Sequence, residues 1–379
     1  MKIPFHKPFI SDKEIKYLND IVSSRDISDR GKYTHKCLNY FKKTLNTNNI
    51  FLTCNATSAL EIIILLLNPK PGDEIILPSF TYVSTANVLY KNGIKPVFAD
   101  CQTDHPNIDM EDIKRKITKR TIAIMPMHYG GMSCNMDEIN DIAHENNLYV
   151  IEDAALGFGS YYKDIPLGTI GDFGFYSFHY TKHITSGEGG LLIINNPDFI
   201  ERAQIIYENG TNRIDFLNNK VDKYEWTDIG ISCKMSEINA AFLFAQLENS
   251  GKIKAKHKEI NELYYHNLLK FEENNNIIII KPDKNCNFNY NLFALATKAI
   301  DDREKLQKFL SLHGVETSFH YQSLHNSKFF SKFNSLQLFN SEYFSNAILR
   351  LPIYYDLEIN KVLYIIELIN KFFEEQSNQ

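Results

Sequence analysis

Residues 174–190, GFYSFHYTKHITSGEGG, place one lysine, Lys182, between an apolar aromatic run and a glycine-rich turn. The run is typical of a buried strand, and the glycines are typical of a turn. Burial of the Lys182 amine would disfavour its ammonium form and leave a nucleophilic lone pair. Such an amine can form a Schiff base with an aldehyde cofactor, usually pyridoxal phosphate (PLP). On spacing alone, a lysine that only solvates a glycine turn is an equal alternative.

Two segments upstream of Lys182 offer partners for such a cofactor. Residues 55–61, NATSALE, open a helical pattern, so their free N–H groups and the helix dipole can hold a phosphate. A simple helix N-cap is the commoner role for Asn55. Residues 152–155, EDAA, end a strand pattern, and Asp153 can pair there with a pyridinium nitrogen and keep the ring protonated. The alternative for Asp153 is an acidic N-cap, but its coincidence with Lys182 favours the cofactor.

Short apolar segments alternate with helical patterns, such as residues 110–117 and 136–146, over much of the chain. Near-continuous apolar strands joined by helices predict an α/β fold with a mostly parallel central sheet covered on both faces. Ligands of such sheets bind at the carboxyl ends of the strands. Residues 55–57, 81–82, 128–129, Asp153 and Lys182 all fall there. The predicted strands are residues 51–53, 74–78, 95–100, 121–126, 148–152, 173–178 and 191–194.

The other patterns complete a division of the chain into parts. Residues 11–14, SDKE, form a capping box that starts a helix through about residue 21. The polar stretch that follows residue 213 and ends at about 226 is predicted to be a functional or interface loop. We predict an N-terminal segment (1–25), a large PLP-binding domain (26–248) and a small C-terminal α+β domain (249–379). Further predictions are a loop at 25–34, one long helical pattern over 236–269, and helices at 302–313 and 361–373.

The composition excludes several classes of protein. Of 379 residues, 44% are hydrophobic and 23% charged, and the formal net charge of −5 leaves no basic excess for nucleic acid. The cysteines are scattered without C-x-x-C pairs, which predicts no metal site and no disulfide framework and fits a reducing cytoplasm. The longest apolar run, 62–67, is too short for a bilayer, and no signal-peptide pattern is present. We expect a cytoplasmic protein without membrane or nucleic-acid partners.

Four motifs are found in one order and spacing: residues 55–60 (NATSAL), 78–87 (PSFTYVSTAN), 150–155 (VIEDAA) and 177–190 (SFHYTKHITSGEGG). Through them, nearly the whole chain resembles the sugar aminotransferases of the DegT/DnrJ/EryC1/StrS family, within the fold-type I PLP-dependent enzymes. The resemblance implies a fold-type I architecture with PLP as cofactor and pyridoxamine phosphate as its intermediate form. It also implies a homodimer whose active sites are shared between subunits.

The resemblance implies roles for individual residues. Lys182 would form the Schiff base with PLP and, once freed, would shuttle protons. Asp153 would bind the pyridine nitrogen, and the flat phenol of Tyr82 would stack on the ring. The implied ligands of the cofactor phosphate are Ala56, Thr57 and Ser177, completed by Ser232 of the neighbouring subunit from the segment 230–233 (GISC).

Three more segments, 210–213 (GTNR), 221–230 (VDKYEWTDIG) and 319–325 (FHYQSLH), resemble the branch that makes dTDP-4-amino-4,6-dideoxygalactose. The implied reaction moves the amine of L-glutamate to C4 of dTDP-4-keto-6-deoxy-D-glucose. A transaminase for a 3-keto sugar is the nearest rival, and a non-catalytic protein that binds nucleotide sugars is a rival of another class. Solvated surface charge is the alternative for the charged candidates. The candidate contacts to the nucleotide sugar are Arg213, Lys223, His320, Tyr321 and His325.

One position departs from the family pattern. The family usually follows EDAA with Gln or His, whose side chain reaches the ring oxygen of the cofactor, whereas this chain has Leu156. Leucine cannot donate a hydrogen bond, so we expect weak cofactor retention and tighter binding in Leu156→Gln. Titration of both proteins with PLP measures the two dissociation constants. Unchanged or weaker binding by the variant contradicts this prediction.

Overall fold

The computed structural model describes residues 2–332 and 336–377. The helices are α1 (Asp12–Ser24), α2 (Lys32–Leu45), α3 (Ala56–Leu67), α4 (Val83–Lys91), α5 (Met110–Lys116), α6 (Met136–Glu145), α7 (Ile200–Tyr207), α8 (Arg213–Leu217), α9 (Glu237–Leu247), α10 (Ser250–Glu273), α11 (Ile300–Leu312), α12 (Phe339–Ala347) and α13 (Ile359–Ser377). The strands are β1 (Ile50–Thr53), β2 (Glu74–Pro78), β3 (Lys95–Ala99), β4 (Thr121–Ile124), β5 (Tyr149–Asp153), β6 (Tyr161–Tyr162), β7 (Ile165–Pro166), β8 (Phe173–Ser177), β9 (Gly190–Ile194), β10 (Ile277–Ile279), β11 (Cys286–Asn287), β12 (Phe293–Thr297) and β13 (Ile348–Leu351). Short 3₁₀ helices lie at Tyr129–Gly131, Pro197–Phe199, Leu324–Asn326 and Phe330–Lys332.

The central sheet has seven strands in the order β1-β9-β8-β5-β4-β2-β3. The neighbours from β8 to β3 are parallel, while β9 runs antiparallel to both β8 and β1. The predicted α/β fold with a mostly parallel sheet is therefore confirmed. Each of the seven predicted strands lies in this sheet within one or two residues of its predicted ends.

Helices cover both faces of the sheet, as the near-continuous apolar strands predicted. Along β2, Ile76 packs into the core beneath α2 and α6, whereas Ile75 and Leu77 pack on the opposite side against α3 and α4. Strand β9 divides in the same way, because successive side chains of a strand point to opposite faces. Burial on both faces is the reason these strands lack an apolar and polar alternation.

A second, antiparallel sheet, β10-β12-β13, forms the smaller part of the chain. Its core contains residues of α10, α11 and α13, together with Ile3 from the N-terminal segment. Helix α10 touches both cores, since Ile253 packs with the large sheet and Ile260 with the small one. The domain limits 1–25, 26–248 and 249–379 stay a prediction. No helix within the described ranges is both long and apolar enough to cross a membrane.

Two helical predictions were wrong in their limits. The pattern over 236–269 forms two helices, because the side chain of Asn249 donates to the carbonyl of Ala245 at 2.8 Å and α9 ends there. The predicted loop at 25–34 is shorter, since α2 already begins at Lys32. The buried carboxylate of Glu237 accepts from the first turn of α2, at 3.0 Å for the amide of Thr34. Because Glu237 is far from α2 in the sequence, no local pattern predicted this cap. By contrast, the capping box predicted at residues 11–14 is present at α1.

Glu152 holds the carboxyl end of β5 in place. Its side chain is fully buried and accepts hydrogen bonds from donors of two loops. A carboxylate with this many donors is stable in the interior because each lone pair is used. The donors are the amides of Gly168 (2.7 Å), Ile170 (2.6 Å) and Gly171 (2.8 Å) and Nε2 of His128 (3.0 Å).

We predict that Glu152→Gln lowers the free energy of unfolding by about 3 kcal/mol. The NH2 group of the glutamine would face the buried N–H groups that donate to Glu152, and these would lose their acceptor. Glu145→Gln, at the exposed end of α6, is the matched control and should change it by less than about 0.5 kcal/mol. Urea unfolding of the cofactor-free proteins measures both values. Equal stabilities of the two variants would show that the Glu152 contacts contribute little.

Candidate active site

The carboxyl ends of the parallel strands gather the predicted cofactor residues at one edge of the sheet. Thr53 at the end of β1 is opposite Gly190 of β9, which is opposite Ser177 at the end of β8. Asp153 ends β5, the next strand along. The loop from β8 to β9 carries Lys182. The edge therefore brings Asp153, Ser177, Lys182 and the start of α3 together from distant parts of the chain.

Asp153 is a buried carboxylate with a fixed orientation. It is 4% exposed, and its Oδ2 accepts from the hydroxyl of Thr85 at 3.2 Å while Oδ1 accepts from the amide of Ala155 at 3.2 Å. Burial raises the pKa of Asp153, whereas these hydrogen bonds and the positive charge of Lys182 act to lower it. A carboxylate held this way is suited to a cationic partner such as a ring N–H.

Lys182 is partly buried in the loop between β8 and β9, and its amide donates to the carbonyl of His179 at 2.9 Å. Burial lowers the pKa of its amine to about 8; the charge of Asp153 opposes this shift and that of Arg350 adds to it. A lysine that only solvates a loop keeps its usual, higher pKa. The environment thus favours the nucleophilic interpretation of Lys182 over the solvated one.

The N-terminus of α3 provides donors for an anion. Asn55 caps the helix through its side chain, which accepts from the amide of Ser58 at 2.8 Å. The amides of Ala56 and Thr57, in the first turn, have no acceptor within the helix. The hydroxyl of Thr57 reaches that of Ser84 in α4 at 3.3 Å, so the starts of two helices meet. Asn55 is thus a helix cap, and capping leaves the amides of Ala56 and Thr57 available for the predicted phosphate.

Tyr82, His320 and Tyr321 lie in the same region as Asp153 and Lys182. The rings of Tyr82 and Tyr321 lie 6.3 Å apart, centre to centre. Burial raises the pKa of Tyr321 to about 12, and the charge of Asp153 acts in the same direction. The pKa of His320 is lowered by burial and by the charges of Arg350 and Lys182. Both residues of the 320–321 pair therefore lie within the influence of the Asp153 and Lys182 charges, and their contact with a substrate stays a prediction.

The structure does not bring every predicted residue to this edge. Arg213 and Lys223 are exposed, and among the described residues neither side chain has a hydrogen bond or an ion pair. Ser232 is also exposed, next to the backbone contact of Cys233 with Cys54 at the end of β1. It is therefore open to a second chain.

His325 requires a correction. Its side chain is fully buried, with Nδ1 2.6 Å from the hydroxyl of Ser79 and Nε2 3.1 Å from the carboxylate of Glu342. Both ring nitrogens are engaged, so none is free for a sugar or a phosphate. The imidazole instead joins the end of β2 to α12. The sequence pattern could not separate this role from a surface contact.

Two residues of the site were not predicted from the sequence. Thr85 orients the carboxylate of Asp153, although it lies within a quoted motif. Arg350 in β13 acts on the pKa of Lys182, His320 and Tyr321. Its local pattern was informative, because one charged residue interrupts the apolar run 347–354.

The residues at this edge fit PLP. The buried Asp153 carboxylate suits a protonated ring nitrogen, the α3 amides suit a phosphate, and the Lys182 amine suits an aldehyde. The side chain of Leu156 is buried and its carbonyl accepts from Asn289 at 2.7 Å, so it adds no donor. Leu156 therefore remains a departure from the Gln or His that the family usually has at this position.

The family model of the DegT/DnrJ/EryC1/StrS aminotransferases matches residues 8–370. The chain belongs to this family. It is 31% identical to GDP-perosamine synthase of Escherichia coli O157:H7 over 383 residues, 99% of each chain. GDP-perosamine synthase of Vibrio cholerae is 30% identical over 378 residues, covering 98% of this chain and 99% of the relative. The chain is thus a member of a family of PLP-dependent sugar aminotransferases, and the predicted cofactor is confirmed.

Solved structures confirm the fold. The aminotransferase TlmJ from Streptoalloteichus hindustanus superposes with a TM-score of 0.91 at 24% identity, covering 99% of this chain and 100% of that one. The PLP form of Spr1654 from Streptococcus pneumoniae gives a TM-score of 0.90 at 24% identity, covering 99% of both chains. The fold-type I architecture predicted from the motifs is therefore correct.

We predict that Asp153→Asn lowers the pKa of the Lys182 amine below about 8, because the negative charge that raises it is removed. Arg350→Gln should raise that pKa, because a like charge is removed. The midpoint of the pH profile for reaction of Lys182 with trinitrobenzenesulfonate, followed by mass spectrometry on cofactor-free protein, measures the change. The exposed Lys43 is the internal reference. Equal Lys182 midpoints in the two variants would contradict this prediction.

Proposed function

We propose that this chain transfers the amino group of L-glutamate to C4 of dTDP-4-keto-6-deoxy-D-glucose, giving dTDP-4-amino-4,6-dideoxy-D-galactose for surface glycan biosynthesis in the cytoplasm. The observation that carries the proposal is the shared edge of Lys182 and Asp153, with His320 and Tyr321 beside them. The segments around Arg213 and Lys223 support the choice of sugar nucleotide through their sequence resemblance. The exchange is balanced, because glutamate becomes 2-oxoglutarate as the keto sugar becomes the amino sugar.

Each step uses a residue with suitable chemistry. When bound, PLP supplies a carbonyl that carries the amino group and a ring that withdraws electrons from the reacting carbon. Asp153, fixed by Thr85 and Ala155, holds the ring nitrogen protonated. Lys182, with a pKa of about 8, can both accept and return a proton at the substrate carbon near neutral pH. One amine therefore holds the cofactor and moves the proton.

The remaining contacts position the cofactor. Tyr82, at the N-cap of α4, would cover one face of the ring. Phosphate binding is assigned to the amides of Ala56 and Thr57 and the hydroxyl of Ser177. Their donors complement two negative charges without a cation from this part of the chain.

A second copy of the chain would complete the site. Ser232 is exposed, and the neighbouring segment exposes several large apolar side chains, including Trp226 at 83% and Ile229 at 54%. A homodimer would bury these side chains and bring Ser232 to the phosphate of the other subunit. The exposed Arg213 and Lys223 of that segment would then face the sugar nucleotide.

Two other sugar nucleotides are alternatives to dTDP-4-keto-6-deoxy-D-glucose. The relatives named as GDP-perosamine synthases favour a GDP-linked sugar. A 3-keto sugar is the alternative in regiochemistry, because the position of the keto group depends on how the sugar lies across the cofactor. A non-catalytic protein that binds nucleotide sugars is the rival of another class, and the lowered pKa of Lys182 argues against it.

We predict that the holoenzyme with glutamate converts dTDP-4-keto-6-deoxyglucose to a product whose NMR spectrum shows an axial amine at C4. The GDP-linked 4-keto-6-deoxyhexose and a dTDP-linked 3-keto sugar should react at least about 100-fold more slowly in kcat/KM, because specific contacts are lost. An equatorial amine at C4, or a higher kcat/KM for either competing substrate, would refute the proposed substrate or product. Binding of the nucleotide sugar without any product would support the non-catalytic rival.

Lys182→Ala should abolish both turnover and the visible absorbance that borohydride removes, because the amine proposed to bind the cofactor carbonyl is removed. Lys254→Ala is a matched control, since this lysine is partly buried on α10 and donates to the carbonyl of Gly159. It should retain both properties. Turnover and a reducible chromophore in Lys182→Ala would refute the assignment.

A further inference from the structure

Arg350 is an arginine inside an apolar strand. It is the partly buried residue between Leu349 and Leu351 of β13, and its backbone is paired on both sides. Ala294 of β12 is its partner on one side, and on the other its amide donates to the carbonyl of Ser318 at 2.7 Å. Because both edges of the residue are paired, the direction of its side chain is fixed.

The guanidinium of Arg350 has no anion of its own. Other arginines of the chain, such as Arg30 and Arg202, form ion pairs with carboxylates. In the part of the chain that the structure describes, Arg350 forms none, and its Nε is buried without a hydrogen-bond partner. The ring of Phe5 lies 5.4 Å from its Cζ. A cation that is partly removed from water without a counter-ion is a favourable place for an anion to bind.

This cation belongs to the same site as Lys182. Burial is the largest cause of the shifted pKa of Lys182, His320 and Tyr321, and the charge of Arg350 acts on all three toward a lower pKa. The contacts agree with this: the ring of Phe5 lies 5.4 Å from the Cζ of Arg350, and the next residue, His6, lies 2.8 Å from the carbonyl of Tyr180, two residues before Lys182. Arg350 therefore lies beside the loop that carries the Lys182 amine.

The chemistry of the two substrates shows which anion can reach this position. In an amino acid, one carboxylate is bonded directly to the carbon that carries the amine, so presenting the amine to the cofactor brings that carboxylate to the same place. In a nucleotide sugar that reacts at C4, the charged phosphates are attached at C1, across the ring. A cation close to Lys182 is thus placed for the amino donor, and the guanidinium fork matches a carboxylate with two hydrogen bonds.

We propose that Arg350 binds the carboxylate on the amine-bearing carbon of the amino donor and that Phe5 positions its guanidinium. The proposal rests on the amino transfer proposed above. Phe5 is held in turn by the N-terminal segment, where the amide of Ile3 donates to the carbonyl of Gly314 at 2.8 Å and His6 contacts the carbonyl of Tyr180 at 2.8 Å. The segment therefore links the end of α11 to the lysine loop.

The test separates the two half-reactions of the holoenzyme by stopped-flow absorbance. With L-glutamate, Arg350→Gln should lower the second-order rate constant for conversion of the PLP form by about 100-fold, because a charged, two-bond contact is lost. With L-isoglutamine, whose α-carboxylate is an amide, the variant and the parent should differ by less than about 3-fold. Reaction of the pyridoxamine form with the keto sugar should also change by less than about 3-fold.

Three variants make the result specific. Arg350→Lys keeps the charge without the fork and should recover part of the loss with glutamate. Phe5→Leu should show a smaller loss with glutamate and none with isoglutamine. Arg120→Gln, exposed just before β4 at the opposite end of the strands, should match the parent throughout. Equal losses with both donors, a loss confined to the sugar half-reaction, or weaker PLP binding in Arg350→Gln would each overturn the proposal.

Binding of α-methyl-L-glutamate distinguishes failure of this proposal from failure of the proposed function. The analogue has no α-proton to lose, so its affinity is measured by spectral titration without turnover. If glutamate does not convert the PLP form of the parent protein, the amino transfer is refuted. A dissociation constant for the analogue that is still about 100-fold larger in Arg350→Gln would support the carboxylate site, and equal constants would refute it.

Discussion

The site depends on two opposite charges held in one desolvated place, the carboxylate of Asp153 and the amine of Lys182. Burial acts on both groups in favour of their neutral forms, and each charge resists that change in the other. Because the charge of Asp153 only partly offsets the effect of burial, Lys182 has a pKa of about 8, which is below its value in water. An amine in this range supplies both a lone pair and a proton at neutral pH, which amino transfer requires.

The neighbouring carboxylates of β5 show how one strand separates structure from chemistry. Successive side chains point to opposite faces, so Glu152 and Asp153 meet different surroundings. Glu152 is fully buried, and donors of the adjoining loops use its oxygens. Among the described residues, the Asp153 carboxylate accepts from the hydroxyl of Thr85 and the amide of Ala155, which orient it and leave room for another donor. The stable anchor thereby fixes the strand end that presents the reactive group.

The sequence predicted the sheet and much of its edge because these features follow from local patterns. Apolar runs located the strands, and the rule that ligands bind at carboxyl ends correctly grouped Asp153 with Lys182. The features that the sequence did not predict depend on long-range contacts. The cap that Glu237 places on α2, and the burial of His325 between Ser79 and Glu342, join residues far apart in the chain. A charged residue in an apolar run singles out Arg350 in the sequence, but only the fold shows that β13 lies beside the lysine loop.

The placement of the cations suggests how two chemically different substrates use one site in turn. Arg350 is partly buried and held on a paired strand, and the carboxylate proposed to bind it sits next to the reacting carbon. Arg213 and Lys223 are exposed on a separate surface segment, where they are suited to charges that lie far from that carbon. If that segment meets the sugar nucleotide as proposed, substitutions in it would alter the preferred nucleotide without disturbing Lys182, Asp153 or the donor. Such a separation would let one transfer chemistry be kept while the accepted sugar nucleotide changes.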